Sequence, residues 1–106
     1  MSKYLFIANY SPEGLEGVLS EGGTGRRAAV EQLAESVGGS VESFYFAFGG
    51  DDAFVVCDLP DDEAAAAVGI TVSASGKASV RTLTLLTPEQ IDAAAKRSPA
   101  YRPPGG

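Results

Sequence analysis

Apolar residues recur along this chain in two periods, and each change of period marks a new element. Residues 4–10 read YLFIANY, rich in aromatic and β-branched side chains, and predict a strand. Ser11-Pro12-Glu13 then supplies an N-cap, a proline for the first helical position and an acid for the first turn. Leu15, Val18 and Leu19 fall at helical spacing until Glu21-Gly22-Gly23 breaks the pattern. A second helix start follows at Thr24, where Val30, Leu33, Ala34 and Val37 make one apolar stripe closed by Gly38-Gly39. Residues 41–48 predict a second strand, Gly49-Gly50-Asp51-Asp52 a turn, and residues 53–59 a third strand, so that this pair forms a hairpin.

Pro60-Asp61-Asp62-Glu63 opens another helix, which runs through the alanines to about Ser73 or Ser75 and stops at Gly76. Residues 77–86 predict a fourth strand. Thr87-Pro88-Glu89-Gln90 has the spacing of a capping box and opens a short helix to about Arg97. Residues 98–106 form a Pro/Gly-rich extended tail. The order is β-α-β-β-α-β plus a terminal helix, an α+β ferredoxin-like arrangement with a four-stranded antiparallel sheet and helices on one face. Residues 1–97 make the domain and residues 98–106 the tail.

Strand side chains alternate between the two faces of a sheet. In the first strand Leu5 and Ile7 oppose Tyr4, Phe6 and Tyr10. In the second, Val41, Ser43, Tyr45 and Ala47 oppose Glu42, Phe44, Phe46 and Phe48. In the third, Phe54 and Val56 oppose Val55, Cys57 and Leu59. Both faces are largely apolar, and two or three short helices cover one. The other face is expected to meet a second copy, sheet against sheet, in a twofold dimer. The competing expectation is that the C-terminal helix and tail fold over it.

Composition narrows the chemistry. With 106 residues there is room for one core only. The net charge of −6 makes nucleic acid a poor partner, because phosphate backbones are repelled. No apolar run approaches the roughly 18 residues of a membrane span, so no membrane partner is expected. The first residues enter a strand without a secretory leader, and one cysteine cannot form an internal disulfide, so a cytoplasmic location is expected. Histidine is absent, which removes histidine triads and histidine-ligated haem, zinc or iron. No cofactor and no metal are therefore expected.

As a set, KYLFIANYSPEG (3–14), GGTGRRAAVEQLAESVGG (22–39), ESFYFAFGGDDAFVV (42–56), VSASGKASVRT (72–82), LLTPEQID (85–92) and YRPPG (101–105) resemble the GYD-domain family of small bacterial proteins. That family is related in fold to dimeric α/β-barrel proteins. The resemblance covers essentially the whole chain and implies the dimeric ferredoxin-like fold, with no particular activity. In place of the Gly-Tyr-Asp turn that names the family, this chain reads Gly50-Asp51-Asp52, so Asp51 stands where the tyrosine would be.

Five residues are candidates for ligand binding. Arg26 and Arg27 open a helix after a glycine-rich loop and suit a carboxylate or phosphate; the ordinary alternative is surface pairing with Glu13, Glu16 or Glu31. Tyr10 and Tyr45, with Asn9, lie on or beside strands, where a hydroxyl seeks a partner in a pocket or an interface. Asp52, next to Asp51, offers a carboxylate but sits among turn formers. Cys57 lies in an apolar strand and reads as inert core. Gly22-Gly23-Thr24-Gly25 matches neither GxGxxG nor the P-loop spacing. Lys77, Arg81 and Arg102 read as surface charges.

Two function classes remain. The first is a small-molecule-binding or assembly module. The second is a cofactor-independent isomerase, decarboxylase or oxygenase acting on a small anionic or aromatic substrate. Its acid–base group would be Tyr45 or Asp52, with Arg26 or Arg27 orienting the substrate.

Overall fold

A computed structural model describes residues 1–106. The elements are β1 (Ser2–Tyr10), α1 (Pro12–Ser36), β2 (Ser40–Phe46), β3 (Ala53–Leu59), α2 (Asp62–Ala74), β4 (Ala78–Leu85) and α3 (Pro88–Ala95). The strands form one sheet in the order β2-β3-β1-β4, with antiparallel neighbours throughout. This is the expected ferredoxin-like arrangement. Strand β1 is central, pairing with β3 on one side and β4 on the other.

Local chemistry sets the helix ends as the sequence predicts. Ser11 caps α1 by accepting from the Gly14 amide at 3.1 Å. Asp61 caps α2 by accepting from the Ala64 amide at 2.8 Å. At α3 the Thr87 hydroxyl accepts from the Gln90 amide at 3.1 Å, while the Thr87 amide donates to the Gln90 side chain at 2.8 Å, a complete capping box. The predicted break in α1 falls at Gly22, whose φ of 78° and ψ of 166° are non-helical. Such a φ favours glycine. Its neighbour Gly23 lies against the Phe46 ring, where a β-carbon would sit 3.2 Å from Phe46 Cε2. The kink thus lets α1 change direction while Phe46 packs at the bend.

The core lies between the sheet and the two long helices. Tyr4, Phe6, Val55, Cys57 and Leu59 point up from the sheet; Ala34 comes from α1, and Ala65 and Val68 from α2. Tyr4 is buried, yet its hydroxyl is satisfied: it donates to Asp62 Oδ1 at 2.6 Å. That bond to a carboxylate, reinforced by desolvation, raises the Tyr4 pKa.

Three sequence expectations need correction. The alternation read across β2 is wrong at its start. Val41 pairs with Cys57 and Ser43 with Val56, so Glu42 is the extra residue of a bulge. Val41 therefore joins Phe44 on the helix side instead of sharing a face with Ser43 and Tyr45. Periodicity alone cannot reveal a one-residue insertion that resets the alternation. The strand also ends at Phe46 rather than Phe48. Phe48 adopts φ 57° and stacks on Phe46, with ring centroids 5.6 Å apart and planes 3° from parallel. Finally, α3 and the tail do not fold over the second sheet face. Residues 88–106 are exposed throughout, and the long axis of the molecule reaches 56 Å. They project from the domain as an arm, with Ile91 52 % exposed.

Candidate functional site

A cleft opens between α1, α2 and the helix side of the sheet. Its floor is apolar: Phe6, Val30, Leu33, Phe44, Val55 and Val80 are among the residues that line a cavity of about 90 Å³. Its mouth is polar, lined by Tyr10, Glu13, Glu21, Arg26, Ser75 and Lys77 around a further space of about 310 Å³. Tyr10, Arg26, Val72 and Ala78 line both, so floor and mouth adjoin. The combined space lies at the small end of the roughly 300–1,000 Å³ typical of ligand sites.

The elements that shape the mouth are pinned together. The Ser11 amide and hydroxyl both donate to the Lys77 carbonyl, at 2.9 Å and 3.1 Å. Gly14 packs so closely on that carbonyl that any β-carbon there would collide with it. The start of α1 is thereby tied to the start of β4. The Gly22 kink then sets Glu21 and Arg26 on either side of the bend. Arg26 Nη1 lies 3.7 Å from Glu21 Oε2, well beyond the roughly 2.7–2.9 Å of a charge-assisted hydrogen bond. The pair is half exposed and loose. Arg26 therefore faces Glu21, not the Glu13, Glu16 or Glu31 expected from the sequence.

The five candidate residues separate into three places. Tyr10 and Arg26 meet in the cleft. Asp52 supports them indirectly, since its Oδ2 accepts from the Tyr10 amide at 2.8 Å while its own amide donates to the Ala8 carbonyl at 2.9 Å. Arg27 lies instead beside Glu31 along a groove at the β2 edge. Tyr45 also borders that groove, with 71 % of its surface exposed, on the side of β2 opposite the helices. The adjacent acids of the turn face different partners. Asp51 accepts from Asn9 Nδ2 at 3.0 Å and from Arg81 Nη2 at 3.2 Å. Asp51 thus bonds side chains of β1 and β4 from the β2–β3 turn.

The mouth residues Glu21 and Lys77 went unrecognised in the sequence. Lys77 reads there as a surface charge and Glu21 as part of a helix break. The usable signal lay in topology, because β-α-β-β-α-β order brings the start of α1 beside the start of β4.

The other face of the sheet carries Leu5, Ile7, Phe54, Val56, Leu83 and Leu85, in register across three strands. Charged pairs close both ends. Lys3 donates to Asp58 at 2.9 Å and lies 3.3 Å from the bulge residue Glu42, which raises the lysine pKa. Arg81 and Asp51 close the opposite end. The residues of α3 and the tail, exposed throughout, do not bury against this strip; Leu83 is 42 % exposed, while Ile7 is buried between its neighbours at 7 %. Cys57 lies on the helix side, where burial and the nearby Asp58 push its thiol up to about 11. No helix is long and apolar enough to cross a membrane.

Among known families, the model described as GYD domain matches residues 4–95. No curated protein and no solved structure matches the chain.

Proposed function

The chain belongs to the GYD-domain family, and from its architecture we propose that it is a small-molecule-binding module that works as a pair of copies. The observation that carries the binding half is the cleft: an apolar floor beside a charged mouth, with Arg26 lining both. Apolar concavity with a few converging polar groups is the usual form of a ligand site. The separation of the candidate side chains favours binding over turnover. An acid–base reaction needs its proton-transfer group within hydrogen-bond reach of the bound substrate. Tyr45 is across the sheet from the cleft, and one Asp52 oxygen already accepts from the Tyr10 amide.

Support for the pairing half comes from the open face. A contiguous strip of Leu5, Phe54, Val56 and Leu83 is the kind of surface monomers seldom leave in water. A second copy related by a twofold axis brings the same strip to meet it. Nothing in its charge calls for a nucleic-acid partner, and its single, buried cysteine suits a cytoplasmic setting.

Native mass spectrometry of protein purified from its own host tests both halves. The expected spectrum is a dimer carrying extra mass that solvent-phase unfolding releases. A protein that is monomeric at about 100 µM, where interfaces of standard size are saturated, overturns the pairing. A dimer without added mass, whose cleft amides also stay unmoved in nuclear magnetic resonance titrations with small apolar acids, bases and alcohols, overturns the binding role.

A further inference from the structure

We propose that the cleft takes a small monocarboxylic acid with an apolar body, and that Glu21 occupies the place on Arg26 that the ligand carboxylate takes. This rests on the binding-module reading above and specifies its ligand class. Among the charged groups of the mouth, Arg26 alone also borders the apolar floor. A ligand whose body lies on Phe44, Val30 and Leu33 therefore brings its head group to a guanidinium first. Guanidinium presents paired N–H donors that match a carboxylate.

The resident ion pair is also loose. At 3.7 Å, with both side chains partly in water, the contact between Arg26 and Glu21 contributes little and is easily replaced. Glu21 precedes Gly22, whose non-helical backbone separates it from the helix that carries Arg26. Its carboxylate can leave without disturbing that helix.

Charge then limits the ligand to a single negative group. Arg26 and Lys77 face Glu13 and Glu21 across the mouth, and the chain as a whole carries −6. One ligand carboxylate replaces one protein carboxylate beside Arg26 and leaves the local balance unchanged once Glu21 turns to water. A second negative charge would lie against Glu13 and Glu21. A cation would meet Arg26 at the entrance to the floor.

The test uses three probes of equal chain length: octanoate, octan-1-ol and octylamine. Each is titrated into the isotopically labelled full chain, and amide shifts of Val30, Phe44 and Val55 report occupancy. Octanoate is expected to bind most tightly. Arg26→Gln is expected to weaken octanoate by about tenfold, the loss of one charge-assisted contact. Glu21→Gln is expected to tighten it about threefold by removing the competitor. Octanol should respond to neither substitution. Unchanged β1 amide positions confirm that each variant is folded. Octanoate binding that is indifferent to Arg26→Gln overturns the proposal. So does tighter binding of octylamine, weakened by Glu21→Gln, although the binding-module reading then survives. If none of the three probes moves the floor amides, both readings fall.

Discussion

On the helix side of the sheet, Tyr4, Phe6, Val55, Cys57 and Leu59 are sealed beneath α1 and α2. On the opposite side, Leu5, Phe54, Val56 and Leu83 lie in register across β1, β3 and β4, half-buried or exposed. Side-chain hydrophobicity hardly distinguishes the two sets. The difference is made by the connections. Both long crossovers, β1–α1–β2 and β3–α2–β4, deliver their helices to the same face. The helix-covered face gains its burial within one chain, and the open face gains it only from another molecule.

The largest effects belong to the covered side. Leu59 is fully buried, and Leu59→Ala should cost about 2–5 kcal/mol in a urea titration through lost transfer energy and the cavity left behind. Leu83→Ala, on the open face, should cost less than about 1 kcal/mol in protein dilute enough to be monomeric. Equal losses would erase the contrast between the faces.

Alkaline pH sharpens the comparison. The Cys57 thiol is raised from 9.0 to about 11 in the folded protein, so the neutral thiol is the form the fold favours. Its contribution to stability is complete below pH 9 and is lost as pH rises towards 11. Tyr4 and Lys3, also raised, act in the same direction at higher pH. Cys57→Ala should flatten the stability profile between pH 9 and 11 in thermal melts, although it lowers stability at neutral pH. A profile as steep as before would assign the alkaline loss to Tyr4 and Lys3 alone. Native Cys57 should also resist thiol reagents at pH 7 until the protein is unfolded.

Next in size is the open face. Val56→Lys places a charge in the middle of the strip and should weaken self-association by about tenfold or more, read by sedimentation velocity, with the far-ultraviolet spectrum unchanged. A variant that still associates like the parent would move the contact to another surface. The smallest effect is expected for the arm. Removing residues 98–106, all exposed, should shift the melting temperature by no more than about 1 °C.

Much of the fold could be read from the sequence because its signals are local. Ser11-Pro12, Asp61, Thr87 with Gln90, and Gly22 each act within a few residues of themselves, and each behaves as its chemistry dictates. The bulge at Glu42 could not be read, since the alternation on either side of it looks regular. The direction of α3 was equally hidden: a cap fixes where a helix starts, not what it packs against. The site was half legible. Arg26 stood out as a residue able to hold an anion and Tyr10 as an aromatic at a pocket or interface, but their place in one cleft depends on the Ser11–Lys77 tie and the α1 bend. Arg27, adjacent in sequence and chemically identical, lines a different groove, because successive helical residues point about 100° apart.

The central place of β1 also has a consequence in time. Of the four strands β1 is made first and is the one that β3 and β4 both pair with, yet Tyr4 has no partner until Cys57 is made and none on its other side until Thr84 follows. The apolar run Tyr4–Ala8 therefore waits unpaired through most of synthesis, with only α1 available to shelter it. Closing such distant pairings costs loop entropy before any contact rewards it, which slows folding relative to a helical bundle of equal length. During that delay the same run is open to wrong neighbours, and holdase chaperones have an early and well-defined segment to grip.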